Sequence, residues 1–275
     1  MSMFFAELAA FFALPFVSRA LLVGGLVSLC AALLGVTLVL KRYSMIGDGL
    51  SHVGFAAMAI AAALNVLDLQ LFIAIPVVML AAFLLLRLGT GAGVKGDAAI
   101  GVIATLSLAV GYIFLYRAGT NVDISAYMFG NMFTIRDTDA WLSVGICIAV
   151  LLFFLLFYHK LFAVTFDETF AKAGGMPVTV YNTVIAATTA VTVVLGMRMM
   201  GTLLITALVI FPALTAMRVC KSFKSVVITA AVVSLACFCL GTVVAHFLNF
   251  PAGSTVVVAN GIAFAVTSVI SKIHK

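Results

Sequence analysis

The sequence predicts an all-α, polytopic helical membrane protein with about nine spans. Of its 275 residues, 65% are hydrophobic and only 9% are charged, and the mean hydropathy is +1.32. A soluble domain carries about 25% charged residues. No polar stretch is long enough to form a separate soluble domain, and a spanning segment must satisfy its backbone internally. We therefore expect residues 1–275 to form a single transmembrane domain.

The apolar runs divide the chain into spans at about residues 18–40, 49–67, 70–88, 97–116, 139–158, 178–196, 200–217, 225–247 and 253–271. Several are near the minimum of roughly 17 residues for crossing a bilayer, which leaves open a broken or re-entrant helix. The span at 200–217 is the best candidate for such a break. Gly201 opens it and Pro212 interrupts it.

The basic residues predict an orientation. If the chain starts outside, eleven fall in inner loops and four on the outer side. The inner set is Lys41, Arg42, Arg87, Lys95, Lys160, Lys172, Arg218, Lys221, Lys224, Lys272 and Lys275, and the outer set is Arg19, Arg117, Arg136 and Arg198. Because cytoplasmic loops carry the excess of Lys and Arg, we expect the N-terminus outside and the C-terminus inside. This bias accounts for the net charge of +6, so no nucleic-acid partner is expected.

One ionisable pair stands at the head of the second span. Asp48 and His52 are four residues apart, so a helix places both side chains on one face, about 40° apart around its axis. By default an ionisable pair in a membrane span marks an ion or proton path. The alternative is that Asp48 only caps the helix N-terminus and His52 is an ordinary interior histidine. Spacing alone does not choose between the two.

Two loops are longer than the rest. The outer loop, 118–138, mixes polar with aromatic residues and suits an interfacial helix or a docking surface. In the inner loop, 159–177, Thr165 or Asp167 can cap a short helix of two to three turns. Gly174 and the glycine after it would end that helix.

The inner loop also carries an apolar ridge. Phe166, Phe170 and Ala171 stand at positions i, i+4 and i+5 of the short helix, beside the acidic Asp167 and Glu168. A capped amphipathic helix on the cytoplasmic face predicts a docking surface for a partner protein. The alternative is a connector that lies flat on the membrane.

Four segments resemble the permease subunits of zinc and manganese ABC importers. They are 38–52 (LVLKRYSMIGDGLSH), 123–130 (DISAYMFG), 166–174 (FDETFAKAG) and 201–216 (GTLLITALVIFPALTA). They follow the family's order across nearly the whole chain. One departure is Gly49, where the family more often has Ala or Thr, and we expect it to loosen the helix start.

The resemblance implies a fold similar to the type II, cobalamin-type ABC importer permeases and a transport subunit that is not an enzyme. It implies that Asp48 and His52 handle the metal. It also implies that the segment at about 160–177 grips an ABC ATPase through Phe166, Asp167, Glu168, Phe170, Ala171 and Gly174. The implied partners are that separate ATPase subunit, an extracytoplasmic metal-binding protein, a second copy of the chain and membrane lipid. The implied location is a bacterial cytoplasmic membrane.

The ligand chemistry fits that implication. One carboxylate and one imidazole cannot satisfy a divalent cation, but a two-fold axis would add a second pair. Two oxygen and two nitrogen ligands suit tetrahedral zinc and form a partial set for manganese. We expect no permanently bound cofactor, only the divalent metal as substrate. Asp and His suit zinc, manganese and iron alike, and it is the overall resemblance that favours zinc. A manganese or iron importer of the same family, or a secondary metal transporter or channel, is the alternative.

Overall fold

The computed structural model of the chain describes residues 14–66, 69–91, 96–117, 128, 130 and 137–273. In that part of the chain every regular element is a helix, which confirms the all-α prediction. The helices are α1 (Pro15–Leu40), α2 (Ile46–Ala63), α3 (Gln70–Gly91), α4 (Gly96–Arg117), α5 (Asp137–Leu156), α6 (Tyr158–Phe166), α7 (Glu168–Ala173), α8 (Val178–Met200), α9 (Thr202–Val219), α10 (Phe223–Leu248) and α11 (Ala252–Ile273).

The long apolar helices correspond to the nine runs found in the sequence. Eight are long and apolar enough to cross a bilayer, and the ninth, α3, has a shorter apolar part at Gln70–Leu85. The break expected within 200–217 is not observed, because α9 runs through Pro212 without interruption. The chain instead reverses just before α9, at Gly201, whose φ is 87°. This single residue connects α8 to α9, and a positive φ is the conformation that glycine adopts at no steric cost.

Helix α1 lies at the centre of the bundle and packs against α5, α8, α9 and α10. Its closest approach is at Gly35, where an added Cβ would stand 2.0 Å from the carbonyl oxygen of Val209 in α9. Small residues at helix contacts allow backbones to meet in this way inside a membrane. Helix α2 is buried between α3, α4, α8 and α9. By contrast, α4, α5 and α11 are mostly exposed, as expected for helices that face lipid.

The turn between α1 and α2 is held by backbone hydrogen bonds. The N–H of Arg42 donates to the carbonyl of Val39 (3.1 Å) and the N–H of Tyr43 donates to the carbonyl of Leu38 (2.9 Å). This is the Schellman pattern of a helix C-terminus. Arg42 takes the left-handed position with φ 62°, although glycine is the usual residue there. These hydrogen bonds fix the direction in which the chain enters α2.

Side-chain contacts assign the connections to two opposite ends of the bundle. At one end, Lys41 in the α1–α2 turn bonds to Glu168 of α7, and Phe223 at the start of α10 packs on Phe166 of α6. At the other end, Arg198 near the end of α8 pairs with Asp139 near the start of α5 at 2.8 Å. The alternation of ends agrees with nine crossings.

The outer segment 118–138 falls outside the described residues except at 128, 130 and 137–138. Gly130 rests on the α8–α9 junction, since a Cβ there would stand 2.2 Å from the carbonyl carbon of Met200. Its φ is 71°. This contact puts Gly130 at the same end of the bundle as Arg198.

Gly49 permits the close packing of α2 on α4. A Cβ built on Gly49 would stand 2.7 Å from Cγ2 of Ile100, whereas a Cβ on Gly47 would make ordinary contacts of 3.7 Å with Val209. The two glycines lie two residues apart in one helix and differ in the space beside them. The glycine that departs from the family pattern therefore has a packing role.

We expect Gly49→Ala to destabilise the protein by about 1–3 kcal/mol, because it overpacks the contact with the stiff, β-branched Ile100. Gly47→Ala is the matched control and should be neutral or stabilising by up to about 1 kcal/mol, the gain from removing a helical glycine. Thermal unfolding of the purified protein in detergent measures both. Gly49→Ala with Ile100→Ala should recover part of the loss. Equal melting temperatures for the two single variants would contradict this account.

Candidate metal pair and coupling segment

Asp48 lies in the first turn of α2 and does not cap it. The N-cap position belongs to Met45, and no side chain there accepts a hydrogen bond from the helix. The hydroxyl of Ser51 donates to the main-chain carbonyl of Asp48 (2.7 Å), so this contact leaves the carboxylate free. The reading of Asp48 as an N-cap is therefore wrong, and its side chain needs another explanation.

Asp48 and His52 are the accessible residues of an otherwise buried stretch. Every other residue from 46 to 59 is buried, whereas the side chain of Asp48 is 39% exposed and that of His52 is 26% exposed. The first turns of α2 thus present one carboxylate and one imidazole to the outside of the protomer. Their neighbours in the helix fix the backbone that carries them.

The two side chains point to a common space. Oδ2 of Asp48 and Nε2 of His52 are 3.7 Å apart, which is longer than a hydrogen bond. Two ligand atoms at about 2.1 Å from a tetrahedral metal are separated by about 3.4 Å. A small side-chain adjustment would let both atoms bind the same cation.

A single protomer does not complete a metal site in the part of the chain that the structure describes. No group of three or more His, Cys, Asp and Glu side chains comes together there. Two protein ligands leave a divalent cation under-coordinated. Water, a partner protein or a second copy of the chain can supply the missing ligands.

The coupling segment predicted at 160–177 consists of two helices, α6 and α7. Asp167 caps α7, because its Oδ1 accepts from the N–H of Phe170 at 2.9 Å. The other candidate cap, Thr165, lies inside α6 and donates to the carbonyl of Leu161. Helix α7 ends at Gly174 and Gly175, as predicted, but its six residues are fewer than the expected two to three turns.

The predicted apolar ridge of Phe166, Phe170 and Ala171 is wrong in one residue, because Ala171 is buried. Phe170 is 73% exposed, whereas Ala171 is only 2% exposed and packs with Val164 and Val178. Because α7 is so short, its orientation follows from the burial of Ala171 against the neighbouring helices. That packing leaves Phe170 as the large apolar side chain that α7 presents.

Phe166 belongs to an aromatic cluster at the same end of the bundle. Its ring centroid is 4.8 Å from that of Phe162 and 5.9 Å from that of Phe223, and Tyr158 lies 5.4 Å from Phe223. Such ring pairs stabilise packing beyond the area they bury. The cluster fixes α6 to the start of α10 while Phe166 itself stays exposed.

A polar network that the sequence did not reveal joins α7 to α1 and α8. The Nζ of Lys41 donates to Oε1 of Glu168 (2.5 Å) and to Oδ1 of Asn182 (2.6 Å). Asn182 also donates from Nδ2 to Oε1 of Glu168 (3.1 Å). In the sequence, Lys41 counted only as one of the inner positive charges, and Asn182 carried no local signal.

The network keeps Glu168 charged. Burial raises the pKa of Glu168. The hydrogen bonds from Lys41 and Asn182, together with the Lys41 charge, lower the pKa by more than burial raises it, so the net pKa lies below its ordinary 4.5. A depressed carboxyl pKa stabilises the fold above the ordinary value and loses that effect as pH falls through the lowered one. Glu168 is therefore ionised at neutral pH.

The sequence profile of the ABC 3 transport family matches residues 13–271, nearly the whole chain. The chain belongs to this family. Its relatives include the manganese import system permease protein ScaB of Streptococcus gordonii, 30% identical over 253 residues, which are 92% of this chain and 90% of the relative. The zinc uptake membrane protein ZnuB of Haemophilus influenzae is also 30% identical, over 251 residues that cover 90% of this chain and 95% of the relative.

Solved structures agree with this assignment. The structure described as PsaBC from Streptococcus pneumoniae in complex with Fab matches with a TM-score of 0.84 at 30% identity, covering 96% of this chain and 95% of that chain. The resemblance to metal ABC importer permeases is thus confirmed. This ABC 3 family permease is a transport subunit rather than an enzyme, and ATP hydrolysis belongs to a separate subunit. Permeases of this family work with an ATPase and a substrate-binding protein in a bacterial cytoplasmic membrane.

Proposed function

We propose that the protein is one of two identical permease subunits in an ATP-driven importer of divalent transition-metal ions. The observation that supports this most directly is the exposure of Asp48 and His52 in a stretch where every other residue is buried. In a membrane protein such a pair is costly unless it serves the transported ion. A second copy across a two-fold axis would provide two carboxylate oxygens and two imidazole nitrogens.

Zinc is the proposed substrate, with manganese as the second candidate. Imidazole nitrogens suit zinc, and a set of two oxygens and two nitrogens gives its preferred tetrahedral geometry. Carboxylates with added water suit manganese, and relatives named for each metal share 30% identity with this chain. Without thiolate ligands the site binds zinc loosely enough to release it, as a transport site must.

We place the end of the bundle that carries Lys41, α6 and α7 in the cytoplasm. Two observations support this orientation: the excess of basic residues at the connections of that end, and the presence of the coupling segment there. The N-terminus would then lie outside and the C-terminus inside. Asp48 and His52 would occupy the inner part of α2.

The segment 160–177 is the proposed contact with the ATPase. Asp167 and Gly174 define the ends of α7, and Phe170 projects from it as an exposed apolar side chain. Phe166 adds an exposed aromatic surface on the adjoining α6. A groove on the ATPase that received Phe170 would bury apolar area that the described residues of this chain leave exposed.

We expect Asp48→Ala and His52→Ala each to lower metal uptake by at least about 100-fold, because even outer-shell partners of a metal contribute 10–100-fold. Expression and assembly with the ATPase should be unchanged. His159→Ala, which removes an exposed histidine of α6, is the control and should transport normally. Uptake by the reconstituted complex is measured with zinc, manganese and iron, each alone and in competition. Wild-type uptake by either variant of the pair would refute the metal role.

The orientation is tested by cysteine labelling with an impermeant reagent in intact cells, or in spheroplasts where an outer membrane blocks access. We expect Phe250→Cys, between α10 and α11, to be labelled from outside. Lys172→Cys, on α7, should react only after permeabilisation. Both wild-type residues are exposed, and the native cysteines give the background. The reverse pattern would overturn the orientation.

We expect Phe170→Ala to weaken ATPase association by ten-fold or more, because burying one phenylalanine contributes roughly 1.5–3 kcal/mol. Metal should still reach Asp48 and His52, but ATP hydrolysis would no longer drive import. Phe250→Ala is the matched control, since it removes an exposed phenylalanine from the opposite end. Association and uptake are measured side by side. If Phe170→Ala matches wild type in both, the segment is only a connector.

A further inference from the structure

Lys41, Glu168 and Asn182 form a closed ring of hydrogen bonds among three helices. Lys41 directly follows the last residue of α1, Glu168 is the first residue of α7, and Asn182 lies in the first turns of α8. Each member of the ring bonds to the other two. The ring therefore joins the coupling segment to the end of the central helix.

The burial of Lys41 makes its hydrogen bonds in this ring costly to break. The side chain of Lys41 is only 8% exposed, and lysine is almost never so buried unless it is paired. Removing Glu168 would leave an uncompensated buried charge, which is strongly unfavourable. A movement of α7 that kept the ring intact would carry the end of α1 with it.

The ring is adjacent to the corner from which α2 starts. Lys41 is followed by the hydrogen-bonded turn at Arg42 and Tyr43, and the carbonyl of Tyr43 accepts from the N–H of Ile46 (3.1 Å). Ile46 is the first residue of α2, and Asp48 follows in the same turn. This path contains no flexible linker.

A cavity beside the ring leaves room for movement. Its volume is about 880 Å³, and residues of α1, α2, α3, α7 and α8 line it, among them all three ring members, Ile46 and Phe83. Tightly packed interiors resist displacement, so this open space lets α7 and the end of α1 move together without meeting the neighbouring helices.

We propose that the Lys41–Glu168–Asn182 ring transmits movement of the coupling segment to the first turn of α2, and so to Asp48 and His52. This inference rests on the proposed function of the pair as the metal site. The three ring members are positioning residues, since they act through the corner at Arg42 and Tyr43. Glu168 thereby acts within the permease, in addition to its position on the segment expected to meet the ATPase.

The test compares three variants in the reconstituted complex: Lys41→Met, Glu168→Leu and the double variant. The side chain of Glu168 is 54% exposed, so Lys41→Met leaves no buried charge, whereas Glu168→Leu leaves Lys41 buried and without its counter-ion. The double variant removes both charges and so avoids that cost. Lys224→Ala, exposed near the start of α10 at the same end of the bundle and outside the segment 160–177, is the control. Melting temperature, ATPase association, ATP hydrolysis and metal uptake are measured for each.

We expect the double variant to fold and, with the ATPase raised to a concentration that restores full association, to hydrolyse ATP while the metal imported per ATP falls by at least about five-fold, the lower range of coupling between distant sites. A merely structural ring predicts that the double variant recovers wild-type coupling together with its stability. That recovery would overturn the proposal.

A second readout separates this proposal from the proposed function. Spin labels at Lys172→Cys on α7 and Met45→Cys at the start of α2 report the distance between the two elements. With the ring intact, ATP binding should move both together and leave the distance unchanged, whereas in the double variant the distance should change. An unchanged distance in both proteins would overturn the link. Absence of metal uptake by the wild-type complex would instead refute the proposed function.

Discussion

Inside a bilayer no water is present to satisfy a polar group, and this constraint shapes the whole molecule. Three of the buried threonines obey it locally: the hydroxyls of Thr189, Thr192 and Thr242 each donate to the carbonyl four residues earlier in their own helices. Such side chains are satisfied without a partner helix and carry no functional signal. The ionisable groups at the helix ends are different, because no carbonyl of their own helix satisfies them. That contrast makes Asp48, His52 and Lys41 informative.

Close backbone packing makes the bundle a good transmitter of movement. Gly35 brings α1 against the backbone of α9, and Gly49 brings α2 against Ile100 of α4. At Gly35 no side chain separates the two backbones, and at Gly49 only the stiff side chain of Ile100 does. The accessible pair of α2 is thus carried on a helix that its neighbours hold from several sides. A push at the end of α1 reaches that helix through the fixed turn at Arg42.

Local and compositional signals predicted most of the fold. The spans were predictable from the sequence because a bilayer demands long apolar runs. The cap at Asp167 was predictable because it joins residues only three positions apart. The Lys41 network was not, because Lys41 and Glu168 are 127 residues apart and neither carries a motif. The burial of Ala171 was missed because the rotation of a short helix depends on Val164 and Val178, not on its own sequence.

In the proposed importer, two chains share one metal between two Asp48–His52 pairs. X-ray absorption spectroscopy of the zinc-loaded complex, combined with metal analysis, measures the number and type of the ligands. We expect one zinc per two permease chains, a first shell of about four nitrogen and oxygen atoms at about 2.0–2.2 Å, and imidazole scattering that disappears in His52→Ala. Sulfur ligands, or one zinc per chain that persists in His52→Ala, would contradict it.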